Sequence, residues 1–479
     1  MVEYCGRTQI FTNEDEINES NLISVLQKAM MKHNKNRSQI EYLYKYYKGR
    51  QPILDRTKEI RPEICNKIVE NWANKIVSFK VGYLCNSPIQ YVSGNGKNEE
   101  NSESISQMID LLNKNMDAIG KSTIDKDLFE WQMIAGTSFR MALPGEDDVP
   151  FDIDSLDPRY SFVIYKNDVK KKPLAGVTYV TTTENQMQIK FYSVYTNNCY
   201  YEVKDDKIVK TEPHILPEIP IIEYPANNAR LGAFEVVLGL LDAINDLDSN
   251  RLDGVEQFIQ SLMIIYNATL DGQTANDIRE KGLIELKSIG ENRADVKILS
   301  EQLDQSQTQT LKEDLIQRVR EIVGLPSQND GSTSDSLNNG AALLRGGWED
   351  AETRAKESEL MFKKSEQTFL KLIMYYCSSF ENSGIDLDYK DIDIRFTRRN
   401  YENLQVKAQV LTTMLACDKI APKLGFQACG LFVDAEEAYR ESVKYIEEAE
   451  KNADRRTEQP NNGNPNGNNG VSGGQEESD

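Results

Sequence analysis

Two long stretches of helical apolar spacing, residues 232–266 and 341–380, constrain this chain more than any other feature. In the first, Phe234, Val237, Leu241, Ile244, Leu252, Val255, Ile259, Leu262 and Tyr266 recur by threes and fours, with one gap at Asp248. That spacing predicts one continuous helix over 232–266. At 1.5 Å per residue it would run about 50 Å, longer than a small domain needs, so it is expected to cross between regions. Its other face, DAINDLDSNRLDG, is polar and acidic. In the second stretch Leu344, Trp348, Ala351, Ala355, Phe362, Phe369, Leu372 and Tyr376 form a near-heptad stripe, with Glu352 and Lys356 in the favourable i,i+4 order. Between the two lie a small α/β insertion at 267–306, with strands expected at Leu283–Leu286 and Val296–Leu299, and a helix at 307–324. The loop 327–340 that follows has Leu337 as its sole apolar residue.

The rest of the chain divides by period. Helices are expected over 14–48, with Asn21 as a candidate cap, over Ile64–Phe79 and over 104–134. After Gly136 the pattern turns to short runs rich in Tyr, Val, Ile and Thr. Ser138–Leu143, Ser161–Tyr165, Gly176–Thr182, Gln188–Tyr195, Cys199–Val203 and Lys207–Lys210 read as an antiparallel strand block, with turns at Asn197-Asn198 and Asp205-Asp206. Ile392–Phe396 alternates with charge as a strand, and 401–452 returns to helix. Residues 453–479 are expected as a disordered tail, because thirteen of the last twenty residues are Asn, Gly or Pro and cannot bury enough surface to fold. The fold class is α+β, mainly helical.

Composition excludes more chemistry than it suggests. Lys and Arg total 56 against 76 Asp and Glu, a formal charge of −20 over 479 residues. Nonspecific coating of nucleic acid needs a net basic surface, so that role is excluded. No apolar run is long enough to span a bilayer, and no secretory leader is read at the N-terminus. The seven cysteines include no CxxC pair, and the two histidines, His33 and His214, lie far apart. A disulfide framework, a zinc ribbon and a His-based triad are therefore not expected. Gly120-Lys121-Ser122 resembles the end of a phosphate loop, but the required upstream glycine is Asn115, so it reads as a helix start. The acidic groups Glu146-Asp147-Asp148, Asp152 with Asp154 and Asp386 with Asp388 read as solvated carboxylates. Lys170-Lys171-Lys172 reads as a solvated turn, and Arg395, Arg398 and Arg399 as residues of an interface or of structural ion pairs. No catalytic residue, metal site or cofactor is expected.

Several strings, in order, resemble the portal protein family of tailed phages of Gram-positive bacteria. They are Tyr46-Tyr47-Lys48-Gly49, Gly82-Tyr83-Leu84-Cys85-Asn86-Ser87-Pro88-Ile89, Ala135-Gly136-Thr137-Ser138 followed by Leu156-Asp157-Pro158, Ile219-Pro220-Ile221-Ile222-Glu223-Tyr224, and Leu241-Asp242-Ala243-Ile244-Asn245. The likeness covers about residues 40–450. It departs at Asn86, where the family has glycine, and Asn is the next residue most tolerant of left-handed backbone. It departs again at Asn339-Gly340-Ala341, where relatives often carry Ser-Gly-x-Ala.

The resemblance implies a ring, typically of twelve subunits, at one capsid vertex, through which double-stranded DNA passes in packaging and ejection. It implies a wing from 1–231 and 341–381, stem helices at 232–266 and 307–324, and a clip at 267–306. A tunnel loop at 325–340 and a return strand with a helical crown at 382–452 complete the plan. The tunnel loop would face DNA with Ser327, Gln328, Asn329, Ser332, Thr333, Ser334, Asn338 and Asn339. The clip's Arg279, Lys281, Lys287, Arg293 and Lys297 would make subunit or partner contacts. The implied partners are terminase, a head-completion adaptor, and the major capsid and scaffolding proteins; no membrane is involved. Assembly would take place in the host cytoplasm. The alternatives are another virion structural protein without a DNA channel, or a metal-dependent nuclease or ATPase.

Overall fold

The computed structural model describes residues 6–94, 102–145, 149–184, 187–259, 262–266, 295–299, 305–326, 348–380, 383–397, 404–432 and 435–457. In chain order the elements are β1 (Ile10–Thr12), α1 (Leu22–Tyr47), α2 (Trp72–Leu84), β2 (Gln90–Ser93), α3 (Ser102–Ala118), α4 (Lys121–Ala135), β3 (Thr137–Pro144), β4 (Phe151–Leu156), β5 (Ser161–Lys166), β6 (Pro173–Glu184), β7 (Met187–Thr196), β8 (Cys199–Lys204), β9 (Lys207–Pro213), β10 (Ile221–Pro225), α5 (Leu238–Ile259), β11 (Leu262–Tyr266), β12 (Asp295–Leu299), α6 (Gln305–Val323), α7 (Trp348–Ser379), β13 (Ile392–Arg395), α8 (Leu404–Leu415), α9 (Pro422–Cys429) and α10 (Ala435–Thr457). The fold is α+β with helix predominating. Residues Met1–Arg399 form one compact unit and Asn400–Asp479 a second.

The strand block forms a six-stranded sheet in the order β1-β5-β6-β7-β8-β9. Every pairing in it is antiparallel except the edge, where β1 lies parallel to β5. Asp205 and Asp206 make a two-residue hairpin, both with positive φ, which is the geometry that matches the strand twist. A second sheet, β10-β3-β4, lies beside α7 and α4. The core is divided accordingly. Leu22, Val25, Leu26 and Ala29 of α1 pack with the large sheet, while Leu43 and Tyr46 of the same helix join the helical core with Trp72, Phe129, Phe234, Phe362 and Phe369. One helix thus ties both cores together. In the second unit α8, α9 and α10 follow one another, and Phe426 stacks on Phe432 and meets Tyr439 edge-on.

Several expectations are corrected. The helix expected over 232–266 is a short 3₁₀ turn at Glu235–Val237 and then α5, which stops at Ile259. Residues 262–266, LMIIY, are a strand that pairs antiparallel with β12. The β-branched pair Ile264-Ile265 favours the strand, and apolar spacing alone cannot separate a buried strand from a helix end. The helix expected over 104–134 is two, α3 and α4, broken at Gly120, whose φ of 72° is left-handed. The helix expected over Ile64–Phe79 begins only at Trp72, because residues 66–70 run extended along α5. Helix α1 starts at Leu22; Asn21 precedes it, but its side chain serves the preceding turn, accepting from Asn18 N and donating to Glu16 O. The tail expected from 453 is still helical to Thr457, so α10 runs past the expected crown boundary at 452. Strands β1, β2, β4 and β10 were not anticipated; β2 pairs with β13 and so supplies the partner for the Ile392 strand.

Candidate functional site

Helices α5 and α6 form an antiparallel pair. Lys312 Nζ of α6 meets Asp248 of α5 at 2.9 Å, and Arg251 of α5 donates to Gln309 of α6 at 2.8 Å. At the end of α5 the chain passes into the two-stranded sheet β11-β12, and β12 leads back towards α6. The pair carries little free positive charge. Helix α5 has five carboxylates and one arginine, and α6 has three of each sign. Lys312 also meets Glu70 at 3.0 Å, Arg318 meets Asp314 at 3.0 Å, and the Arg320 guanidinium sits 5.7 Å over the Trp72 ring.

The polar face of α5 is partly buried. The backbone N–H groups of Asn66, Ile68 and Glu70 donate to Asp253 Oδ1, Ser249 Oγ and Asn245 Oδ1 at 2.7, 2.9 and 2.8 Å. Four helical residues rise about 6 Å and two strand residues about 6.6 Å, so acceptors spaced by four on α5 meet alternate amides of an extended segment. Asn245 and Ser249 are wholly buried, and Asn245 Nδ2 donates to Gln51. Burial alone would raise the Asp253 carboxyl, but hydrogen bonds from Lys58 and Asn66 outweigh it and hold its pKa below the usual carboxylate value.

The end of α6 lies against the first turns of α7. Gly324 ends α6 with φ 69° against the Arg354 side chain of α7, and Arg354 Nη1 donates to Ile322 O at 3.0 Å. Trp348 opens α7 with its ring 6.0 Å from both Phe79 and Tyr83 of α2, and Tyr83 donates to Glu352 at 2.8 Å.

Helix α7 is fixed to the body by a buried charge cluster. Glu366 accepts from Tyr91 and Tyr224 at 2.7 Å each, and pairs with Arg140 at 2.7 Å and Lys121 at 3.1 Å. Asp125 completes a two-cation, two-anion set, meeting Lys121 at 2.5 Å and also pairing with Arg140. Burial would raise the Glu366 carboxyl, but Arg140 and Lys121 bring it down to about 2. Lys121 belongs to the Gly120-Lys121-Ser122 string, which is here the start of α4 with its lysine turned into the core.

Residues 327–340, with Ser327, Gln328, Asn329, Ser332, Thr333, Ser334, Asn338 and Asn339, lie outside the described residues. So do Arg279, Lys281, Lys287 and Arg293, and Glu146-Asp147-Asp148. Lys297 falls on β12 opposite Ile264. Asp152 and Asp154 lie on the exposed face of β4, and Asp388 caps a 3₁₀ turn. Arg395 pairs with Asp393 at 3.0 Å. Among the described residues no three His, Cys, Asp or Glu side chains converge as a metal site would need. No described helix is long and apolar enough to cross a membrane. The Asn245–Ser249–Asp253 ladder and the Glu366 cluster were missed at the level of sequence. The signal for the ladder was there: three short hydrogen-bonding side chains at i, i+4 and i+8, where a solvated face would carry longer charged ones.

No curated protein matches the chain. The family model for phage portal proteins, SPP1 Gp6-like, matches residues 27–456, a span that runs from the second turn of α1 to the last turn of α10. The chain therefore belongs to the phage portal protein family, the proteins of the capsid vertex that form a ring and pass the phage genome.

Proposed function

We propose that α5 and α6 are the stem of one subunit in a ring of twelve, and that β11-β12 with the residues between them is the clip. The supporting observation is the antiparallel α5–α6 pair, with a two-stranded sheet at one end and the pinned root of residues 325–347 at the other. On this reading residues 1–231 and 341–381 are the wing, 325–340 the tunnel loop, and 382–452 the return strand and crown, with α10 running a turn further. Arg279, Lys281, Lys287, Arg293 and Lys297 make subunit contacts or meet terminase and, later, the head-completion adaptor. The capsid and scaffolding proteins surround the wing, and assembly takes place in the host cytoplasm. The chain performs no catalysis; terminase hydrolyses the ATP.

The electrostatics of the stem suit a passage that does not grip. Duplex DNA carries a negative charge every ~1.7 Å of axis, and a channel of unpaired lysines would hold it. Here the stem is net acidic and Lys312, Arg318 and Arg320 are each engaged within the subunit. Contact with DNA then falls to neutral donors of the loop, Ser327, Gln328, Asn329, Ser332, Thr333, Ser334, Asn338 and Asn339, which meet phosphates without strong attraction.

The test is the native mass and image of the purified protein. A ring with a central hole and a mass near twelve times 54.5 kDa is expected. A ring of another count corrects the number. Heads assembled with the loop polar residues changed to alanine should package DNA and lose it before tail attachment. Unaltered retention would overturn the role given to the loop.

A further inference from the structure

A groove of about 640 Å³ runs between the β5–β6 turn and α7. That is the size of a pocket that takes a small ligand or a few residues of an extended peptide. Val169, Pro173, Pro225 and Met361 are among its apolar lining residues. Val169 is fully exposed, so its side chain is free to be covered by a partner. Lys170, Lys171 and Lys364 stand along the rim. Among the described residues none of the three has an ion pair; Lys171 only approaches the Phe11 ring at 5.7 Å. The carboxylates of the groove are already used. Glu218 pairs with Lys371 at 2.5 Å, and Glu223 pairs with Arg230 at 2.6 Å and accepts from Tyr165 and Thr137. The turn is preformed, since Asp168 Oδ1 accepts from Lys171 N at 2.7 Å.

The three lysines make a basic rim on a chain of net charge −20, so the partner whose charge complements this face is an anionic one. The apolar walls offer nothing to a phosphate backbone. A second copy of the chain fits poorly. One acidic exposed segment, residues 14–19, is tied to the start of the β5–β6 turn through Lys166–Asp15 and Asn167–Asn13. Groove and acidic turn on one face would pair about a two-fold axis, which makes a dimer and not a ring. We propose that the groove docks an extended acidic segment of another virion protein. One or two of its apolar side chains would seat between Val169 and Met361, and its flanking carboxylates would meet Lys170, Lys171 and Lys364. The inference does not depend on which helices line the channel.

The experiment uses the full-length protein and a fluorescein-labelled peptide of alternating Glu and Leu, read by anisotropy. Binding is expected to weaken about tenfold or more in the triple variant K170E/K171E/K364E and to become strongly salt-dependent in the wild type. V169D should weaken it without changing thermal stability, because the side chain touches solvent only. Four results would overturn the proposal: no binding by the wild type, equal binding by the variants, displacement of the peptide by duplex DNA from the same lysines, or a change in native mass in the triple variant. The last would assign the groove to contact between copies.

Discussion

Glu366 is surrounded by groups that need it charged: two phenol hydroxyls donate to it, and an arginine and a lysine pair with it, all buried. Removing one partner of such a set leaves an uncompensated charge in a region of low polarity. E366Q should cost about 3–5 kcal/mol in urea unfolding, and a loss below 1 kcal/mol would show that the cluster relaxes or is hydrated. Its folded pKa of about 2 lies below the 4.5 of an ordinary glutamate, so its stabilisation is complete above about 4.5 and is lost as pH falls towards 2. His33 acts in a different window. It stacks on Phe162 at 4.4 Å, with Nε2 3.1 Å from Arg159 O, and burial lowers its pKa from 6.5 to about 4. The unfolded chain then binds the extra proton first, so acidification from 6.5 to 4 should remove about 3 kcal/mol, and no more below that. Replacing His33 with Gln should flatten this part of the stability–pH curve measured by chemical denaturation. An unchanged slope would place the titration elsewhere.

At the scale of elements, α5 shows how a helix can dictate a neighbour's backbone. Asn245, Ser249 and Asp253 hold residues 66–70 extended, although the apolar spacing of Ile64, Ile68, Trp72 and Ile76 suits a helix. S249A should cost about 1–3 kcal/mol, the penalty of a buried amide without an acceptor, and hydrogen exchange should show faster exchange at Ile68 first. Wild-type protection at Ile68 in the variant would mean that water or another group replaces the hydroxyl. The two glycines that flank α4 make a paired test. Both have positive φ, but a Cβ on Gly120 meets nothing within 4 Å, whereas one on Gly136 would lie 2.1 Å from Arg230 O. G120A should therefore cost about 1–2 kcal/mol, the left-handed penalty alone. G136A should cost clearly more, since the backbone leading into α5 must move; equal melting shifts would refute this. The break at Gly120 was not legible because the apolar stripe continues across it. The Asp205-Asp206 hairpin was legible because two small polar residues between strands leave few alternatives.

For the whole molecule, a ring of subunits each bearing −20 must overcome mutual repulsion. Low salt should therefore favour smaller species, and about 0.1–0.3 M salt, where the Debye length falls below ~10 Å, should favour the ring. Sedimentation velocity across that range checks it, and a ring that dissociates as salt rises would show that attraction between charged patches dominates.

Much of the order of the described elements was written in the sequence: helices, then a strand block, then helices again to the end. Apolar period, turn residues and composition are local properties, and a single chain carries them without reference to its neighbours. The family resemblance rested on strings equally local. The tertiary structure decided where α5 stops and β11 begins, because Leu262–Tyr266 becomes a strand only through pairing with residues thirty positions on. It also decided that Lys121 is a core cation, that Asn245, Ser249 and Asp253 of α5 form an internal ladder, and that residues 66–70 are extended. Each of those outcomes depends on a hydrogen-bond or charge partner distant in sequence, and the partner's identity is not encoded in the spacing of the residue that needs it.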